Sequence, residues 1–106
     1  KIAIERKDPI DLFSTLGKGH KRFKKELDRA QKLTYFAIVI EGSYNKILNK
    51  DFEGSYHSKM RGYVITSILF TLHLKYGVNV FFALDKKEAR QITKELFRAY
   101  AKIYIK

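Results

Sequence analysis

The spacing of hydrophobic positions divides the first third of the chain into three elements. Apolar and other residues alternate across 1–6, and this period of two predicts a strand. The Asp8-Pro9 pair supplies an N-cap and a first-turn proline, so a helix should begin there and end at the Gly-Lys-Gly turn of 17–19. Apolar residues recur at helical spacing across 20–33 among many cations, which predicts a second helix with a positive exposed face.

The rest of the chain shows two unbroken apolar runs separated by helical patterns. The runs at 35–40 and 78–84 are too short for helices and are typical of strands covered on both faces. We expect a short helix near 44–48 followed by a loop, and a longer helix over 60–76 that ends at a glycine. A capping box opens the last helix, which spans about 85–103.

Strands that alternate with helices predict an α/β layered domain with a largely buried sheet. The whole chain of 106 residues fits one domain. Three strands make a thin sheet, however, and the first strand begins without a preceding element to cover it. We therefore expect 1–106 to be the C-terminal portion of a single domain whose N-terminal strands lie upstream.

Composition points to a polyanionic partner. Lys and Arg number 22 against 11 Asp and Glu, a formal charge of +11, which suits nucleic acid or an anionic membrane surface. The longest apolar runs are far too short to span a bilayer. With no cysteine there is no disulfide or thiolate chemistry, which fits a reducing compartment. Abundant Lys, Ile, Tyr and Phe suggest an AT-rich genome, and hence the cytoplasm of a bacterium or phage-infected cell, at the nucleoid.

The candidate chemistry lies at the end of the first strand. Glu5 and Lys7 should project from one face about 7 Å apart, with Arg6 on the other face. A carboxylate that holds Mg²⁺ and a cation that orients water are what phosphodiester hydrolysis needs. The alternative is a solvated ion pair worth under about 1 kcal/mol.

The residues Glu5-Arg6-Lys7 with Asp11 resemble the E-R-K-x-x-x-D hallmark of the XPF-type (xeroderma pigmentosum group F) structure-specific endonucleases. Segments 19–23, 39–42 and 76–82 are similar to further parts of the bacterial and phage members, so the resemblance covers nearly the whole chain. It implies a restriction-endonuclease-like, three-layer α/β domain with a central mixed sheet flanked by helices. It also implies Mg²⁺ or Mn²⁺ dependence and cleavage of branched or flap DNA in repair or recombination.

One departure from the family pattern concerns its Gly-Asp motif, whose aspartate is the other metal-binding carboxylate. It should lie just upstream of Lys1 and is absent. Either the chain is a fragment of a longer protein, or it is a family member that cannot cut.

The resemblance implies that Glu5 binds the metal and Lys7 positions the nucleophilic water. For Arg6, a phosphate contact competes with a structural bridge to Asp11 or to the next helix. Asp11 either starts the helix or orients Lys7 or Arg6. Glu41 is either a site residue or an ordinary turn carboxylate. Residues that we expect to contact the DNA backbone surround the second helix: Lys18, Lys21, Arg22, Lys24, Lys25 and Arg29.

The leading hypothesis is therefore a metal-dependent DNA endonuclease domain. A catalytically inactive, nuclease-like module that positions an active partner is the alternative, and a domain that binds RNA or a membrane surface is the least favoured. On the last helix, Phe97, Tyr100 and Tyr104 belong to an apolar stripe wider than packing on one sheet face requires. This stripe predicts a homodimer, unless the upstream segment covers it.

Overall fold

The apolar run at the centre of the chain forms the middle strand of a parallel sheet. In the computed structural model, which describes residues 1–18 and 20–105 except for the side chain of His20, the strand order is β1-β2-β3. Both strand pairs are parallel. The strands are β1 (Ile2–Lys7), β2 (Tyr35–Ile40) and β3 (Asn79–Phe82).

Five helices surround this sheet, and a 3₁₀ turn at Ser55–His57 occupies the segment where we expected only a loop. None of the helices in the described residues is long and apolar enough to cross a membrane. Their bounds are α1 (Pro9–Leu16), α2 (His20–Ala30), α3 (Tyr44–Asn49), α4 (Gly62–Tyr76) and α5 (Lys86–Tyr104).

The two faces of β2 pack against different helical layers. Ile38 and Ile40 lie in a large core shared with α1, α2, α3 and α4. Val39, between them in sequence, belongs to a second core with Ala83 and with Ala89 of α5. The expected three-layer α/β architecture is thus confirmed. The described strands are all parallel, so the mixed pairing that we expected is not found among them.

Several element bounds differ from the sequence prediction for local reasons. The second helix ends at Ala30 rather than at 33, because Lys32 and Leu33 donate to carbonyls three residues back instead of four. The fourth helix begins at Gly62 rather than at 60, since the Met60 N–H donates to the Ser58 hydroxyl (3.1 Å) and Arg61 is the extended N-cap.

The third strand is also shorter than the predicted 78–84. The Val78 N–H donates to the Leu72 carbonyl (3.2 Å) and so closes the end of α4. At the other end, the Leu84 N–H donates to a Glu88 carboxylate oxygen (2.8 Å). The Asp85 side chain accepts the Glu88 N–H (2.8 Å), so the expected capping residues do begin α5. The Glu88 side chain, however, accepts the Leu84 N–H and not the Asp85 N–H.

Parallel pairing brings the carboxyl ends of all three strands to one edge of the sheet. Lys7 is aligned with Ile40, and Ile40 with Phe82. The Glu41 N–H donates to the Lys7 carbonyl (2.8 Å), which ties the ends of β1 and β2 together. The end of β1, with its charged residues, therefore has a defined position in this edge.

Gly62 gives a direct test of how α3 and α4 pack. A methyl group at this position would overlap the backbone carbonyl oxygens of Ile47 and Leu48, which cannot move without shifting α3. We expect Gly62→Ala to lower the free energy of unfolding by about 1 to 3 kcal/mol or more, measured by urea denaturation. Gly42→Ala is the matched control, because that buried glycine has ordinary contact distances of 3.4 and 3.6 Å around an added methyl. Equal stability of the two variants would contradict the close packing of α3 on α4.

Candidate active site and basic surfaces

Glu5 and Lys7 lie side by side at the end of β1. They are aligned with Ile38 and Ile40, whose side chains face the core under α1 to α4, so both point to that face of the sheet. Lys7 Nζ is 3.6 Å from Glu5 Oε1. The predicted pairing of a carboxylate with an ammonium is therefore present in the structure.

Helix α1 supplies a further partner for this pair. Lys7 Nζ donates to Thr15 Oγ1 (3.3 Å). This contact was not expected from the sequence, because it depends on how α1 folds back over β1. The ammonium is thus held between a carboxylate and a hydroxyl. Lys7 and Glu5 keep 18% and 36% of their side-chain surfaces exposed, so a phosphate group can approach them.

The two aspartates at the beginning of α1 have different roles in the helix. Asp8 is the N-cap, since its Oδ1 accepts the Asp11 N–H (2.8 Å). Asp11 lies one helical turn before Thr15, on the same side of α1, and its side chain is exposed. Among the described residues, neither Lys7 nor Arg6 makes an ion pair with Asp11. Asp11 therefore belongs to the first turn of α1, whereas its role in orienting Lys7 or Arg6 stays a prediction.

Arg6 points away from Glu5 and Lys7. It is aligned with Val39, whose side chain packs in the core under α5, and it lines a cleft beside that helix. Opposite directions for Arg6 and its two neighbours agree with strand geometry. The structure therefore brings together Glu5 and Lys7 but not Arg6.

The cleft beside α5 contains cations that were not among the DNA-binding residues expected from the sequence. Arg6 lines it together with Lys87, Arg90 and Lys94. Their spacing of three and four residues on one helix was visible in the sequence, but Arg6 joins them only through tertiary packing. The result is a second basic surface on the opposite face of the sheet.

The first basic surface is helix α2, as expected. Phe23, Leu27 and Ala30 are buried, and the cations of the other faces are exposed. Arg22 lies in the first turn, while Gly19 and the side chain of His20, part of the segment on which the resemblance rests, lie outside the described residues. The exposed cations are Lys18, Lys21, Arg22, Lys24, Lys25 and Arg29.

Glu5 by itself does not form a complete metal site. In the described residues, no three His, Asp or Glu side chains converge as a metal-binding group. Glu41 is half-buried after β2. His73 Nδ1 lies 2.9 Å from the Val78 carbonyl oxygen, which gives that histidine a structural role.

A larger cavity of about 660 Å³ lies between α1 and the segment 52–60. Its lining is mainly apolar, with Ile10, Phe13 and Phe52, and also includes Lys18 and His57. Lys7 and Glu5 do not line it. The cavity was not expected from the sequence, because the segment that forms one side has no regular pattern.

Comparisons with known proteins agree with this geometry. The family model described as the ERCC4 domain matches residues 1–96. The structure of XPF from Aeropyrum pernix has a TM-score of 0.69 at 21% identity, covering 98% of this chain and 46% of that chain. XPF from Aeropyrum pernix in complex with DNA has a TM-score of 0.68 at 22% identity, covering 99% and 48%.

The chain therefore spans about half the length of these structures. No curated protein sequence matches it. The family match and the shared fold confirm the XPF-type resemblance and the restriction-endonuclease-like architecture.

Proposed function

The chain belongs to the ERCC4 domain family of XPF-type nucleases, and we propose that it is the catalytic domain of a DNA endonuclease that hydrolyses phosphodiester bonds in branched or flap DNA. The observation that carries this proposal is the Lys7–Glu5 pair, held at the carboxyl end of β1 with an Nζ to Oε1 distance of 3.6 Å. A role in DNA repair or recombination, in a bacterium or its phage, is part of the proposal.

Glu5 fits a divalent metal as one ligand of a shared site. Mg²⁺ is commonly held by one or two carboxylates together with substrate phosphates and water, and Mn²⁺ suits the same oxygen ligands. Glu5 supplies one partly exposed carboxylate at the place where phosphate would approach. A second carboxylate would come from the upstream Gly-Asp motif that the resemblance implies. When bound, the metal would polarise a phosphoryl oxygen.

Lys7 performs the positioning step. Its ammonium is directed by Glu5 and by the Thr15 hydroxyl, and an ammonium carries three donors. The 3.6 Å contact with Glu5 is an ion pair rather than a hydrogen bond, so the donors that Thr15 does not accept can hold the attacking water or a phosphate oxygen in line with the bond that breaks. Its charge also offsets the negative charge that develops on the phosphoryl group, which lowers the barrier.

The exposed cations of α2 and Lys18 supply DNA affinity. They neutralise backbone phosphates without reading base edges, so this surface favours DNA of any sequence. The fold similarity to XPF from Aeropyrum pernix in complex with DNA supports a nucleic-acid partner.

A DNA-binding module that positions an active partner is the second candidate. The observation in its favour is that no three metal-ligating side chains converge within residues 1–18 and 20–105. Both candidates require DNA binding, and they differ in whether Glu5 and Lys7 perform chemistry.

We also propose a homodimer through the last turns of α5. Ile103 and Tyr104 are exposed at its end, and the Tyr100 ring packs on that of Tyr104 with centroids 4.8 Å apart. Phe97, which belongs to the same predicted stripe, lines the cleft beside α5. Exposed aromatic residues at the end of a helix are typical of interface cores.

Removing Lys7 should abolish most of the cleavage while sparing the binding of DNA. In the full-length protein, we expect Lys7→Ala to lower Mg²⁺-dependent cleavage of flap DNA about 10²-fold or more, because the ammonium acts in the transition state. Affinity, measured by fluorescence anisotropy, should change by only a few-fold.

Two variants serve as controls for the Lys7 experiment. Arg22→Ala should weaken binding but preserve cleavage at saturating DNA concentration. Lys46→Ala removes an exposed lysine of α3 and should change neither property. Cleavage by Lys7→Ala at the wild-type rate would contradict the role assigned to Lys7, whereas a wild-type protein that binds flap DNA without cutting it would favour the second candidate.

Affinity for DNA should fall steeply with salt concentration. Each phosphate contact releases counterions, so the log-log slope is about −0.9 per contact. We expect the triple variant Lys21→Gln, Lys24→Gln and Lys25→Gln to bind more weakly and with a shallower slope. The matched control replaces Lys46, Lys59 and Lys75, exposed lysines outside both basic surfaces, with Gln. A slope that stays equal in the two triple variants would remove α2 from the binding surface.

The dimer should dissociate when charge is placed at the end of α5. We expect the full-length protein to sediment as a dimer at tens of micromolar and the Tyr100→Glu, Tyr104→Glu variant as a monomer, because buried carboxylates without partners are costly. Leu74→Glu is the control, since Leu74 is 83% exposed on α4 and lies outside the patch. A monomeric wild type would contradict this proposal.

A further inference from the structure

The cleft between β1 and α5 lies on the opposite face of the sheet from Glu5 and Lys7. Arg6 reaches it from the strand, and Lys87, Arg90 and Lys94 reach it from the helix. Its volume is about 420 Å³, within the range of sites that enclose one small ligand or one segment of a chain.

Among the residues that the structure describes, the four cations of this cleft have no acidic partners. No Asp or Glu side chain lines the cleft, and within the described part of the chain none of the four lies within 4.0 Å of a carboxylate oxygen. Residues 87, 90 and 94 follow one side of α5 over about 10 Å. The cleft is therefore an elongated region of uncompensated positive charge.

Helix stability does not account for this arrangement. Lys87 lies in the first turn of α5, where the positive end of the helix dipole disfavours cations. Repulsion among the four like charges adds to that cost. A bound polyanion would reverse both effects, because its negative charge would meet the cations and the positive end of the dipole together.

An aromatic ring lies next to these cations. Phe97 lines the same cleft and is 46% exposed, one turn beyond Lys94 on α5. A basic groove with an exposed aromatic ring is the combination that binds single-stranded nucleic acid, since phosphates take the cations and a base stacks on the ring. A duplex has no unpaired base to offer to the ring.

We propose that this cleft binds an unpaired DNA strand, with phosphates on Arg6, Lys87, Arg90 and Lys94 and a base on Phe97. The inference rests on the proposed function, in which branched DNA is the substrate. The strand held here lies across the sheet from Glu5 and Lys7, so it is an arm that is not being cut. The domain would thereby distinguish branched DNA from plain duplex.

Metal-free binding of a fluorescent oligothymidine to the full-length protein tests the cleft separately from catalysis. We expect the triple variant Lys87→Gln, Arg90→Gln and Lys94→Gln to bind it at least about tenfold more weakly, because three phosphate contacts are lost. Affinity for a blunt duplex should change less than about threefold. The matched control is the Lys46, Lys59 and Lys75 triple Gln variant, which removes the same charge outside the cleft.

Phe97→Ala tests the stacking contact. We expect about fivefold or greater loss of oligothymidine affinity, with the dimer population followed by sedimentation in the same buffer. If the loss appears only when the dimer dissociates, Phe97 belongs to the dimer interface and the stacking contact is overturned.

Two further results would overturn the proposal that the cleft binds an unpaired DNA strand. One is unchanged oligothymidine affinity in the 87/90/94 variant, which would leave the proposed nuclease function intact if flap DNA is still cut. The other is that poly-glutamate displaces the fluorescent oligothymidine as well as unlabelled DNA does. The cleft would then be a surface for acidic protein. Conversely, the protein could fail to cut DNA and still bind oligothymidine through the cleft. This result would reject the proposed nuclease function and support the proposed strand binding.

Discussion

Burial of β2 on both faces is the constraint on which the rest of this structure depends. Its last four residues, 37–40, are fully buried, and such a strand is stable only between two helical layers. Helices α1 to α4 cover one face and α5 covers the other. Since β1 pairs with β2 in parallel register, each residue of β1 must also face one layer or the other.

This constraint separates the charged residues at the end of β1. Glu5 and Lys7 share the side of α1, where Thr15 completes the contacts of the ammonium. Arg6 emerges on the side of α5 among three further cations. Three consecutive residues therefore belong to two surfaces, and the sheet separates the Glu5–Lys7 pair from the second basic cleft.

The charge of +11 is distributed rather than neutralised. In the described residues, the Lys7–Glu5 contact is the single ion pair within 4.0 Å, although 11 carboxylate side chains are present in the chain. Two of the acidic residues, Asp8 and Asp85, instead cap helices. The cations of α2 and of the α5 cleft are thus available to an anionic partner on both sides of the sheet.

By itself, the sequence determined the order of the elements, the central buried strand and the basic face of α2, because these follow from local periodicity and capping. It also located the Glu5–Lys7 pair, since alternation along a strand is a local property. Tertiary structure alone decided that Thr15 holds Lys7, that Arg6 joins Lys87, Arg90 and Lys94, and that α1 borders a cavity. Each of these contacts joins elements whose relative position depends on how helices pack on the sheet, and no spacing along the chain encodes that packing.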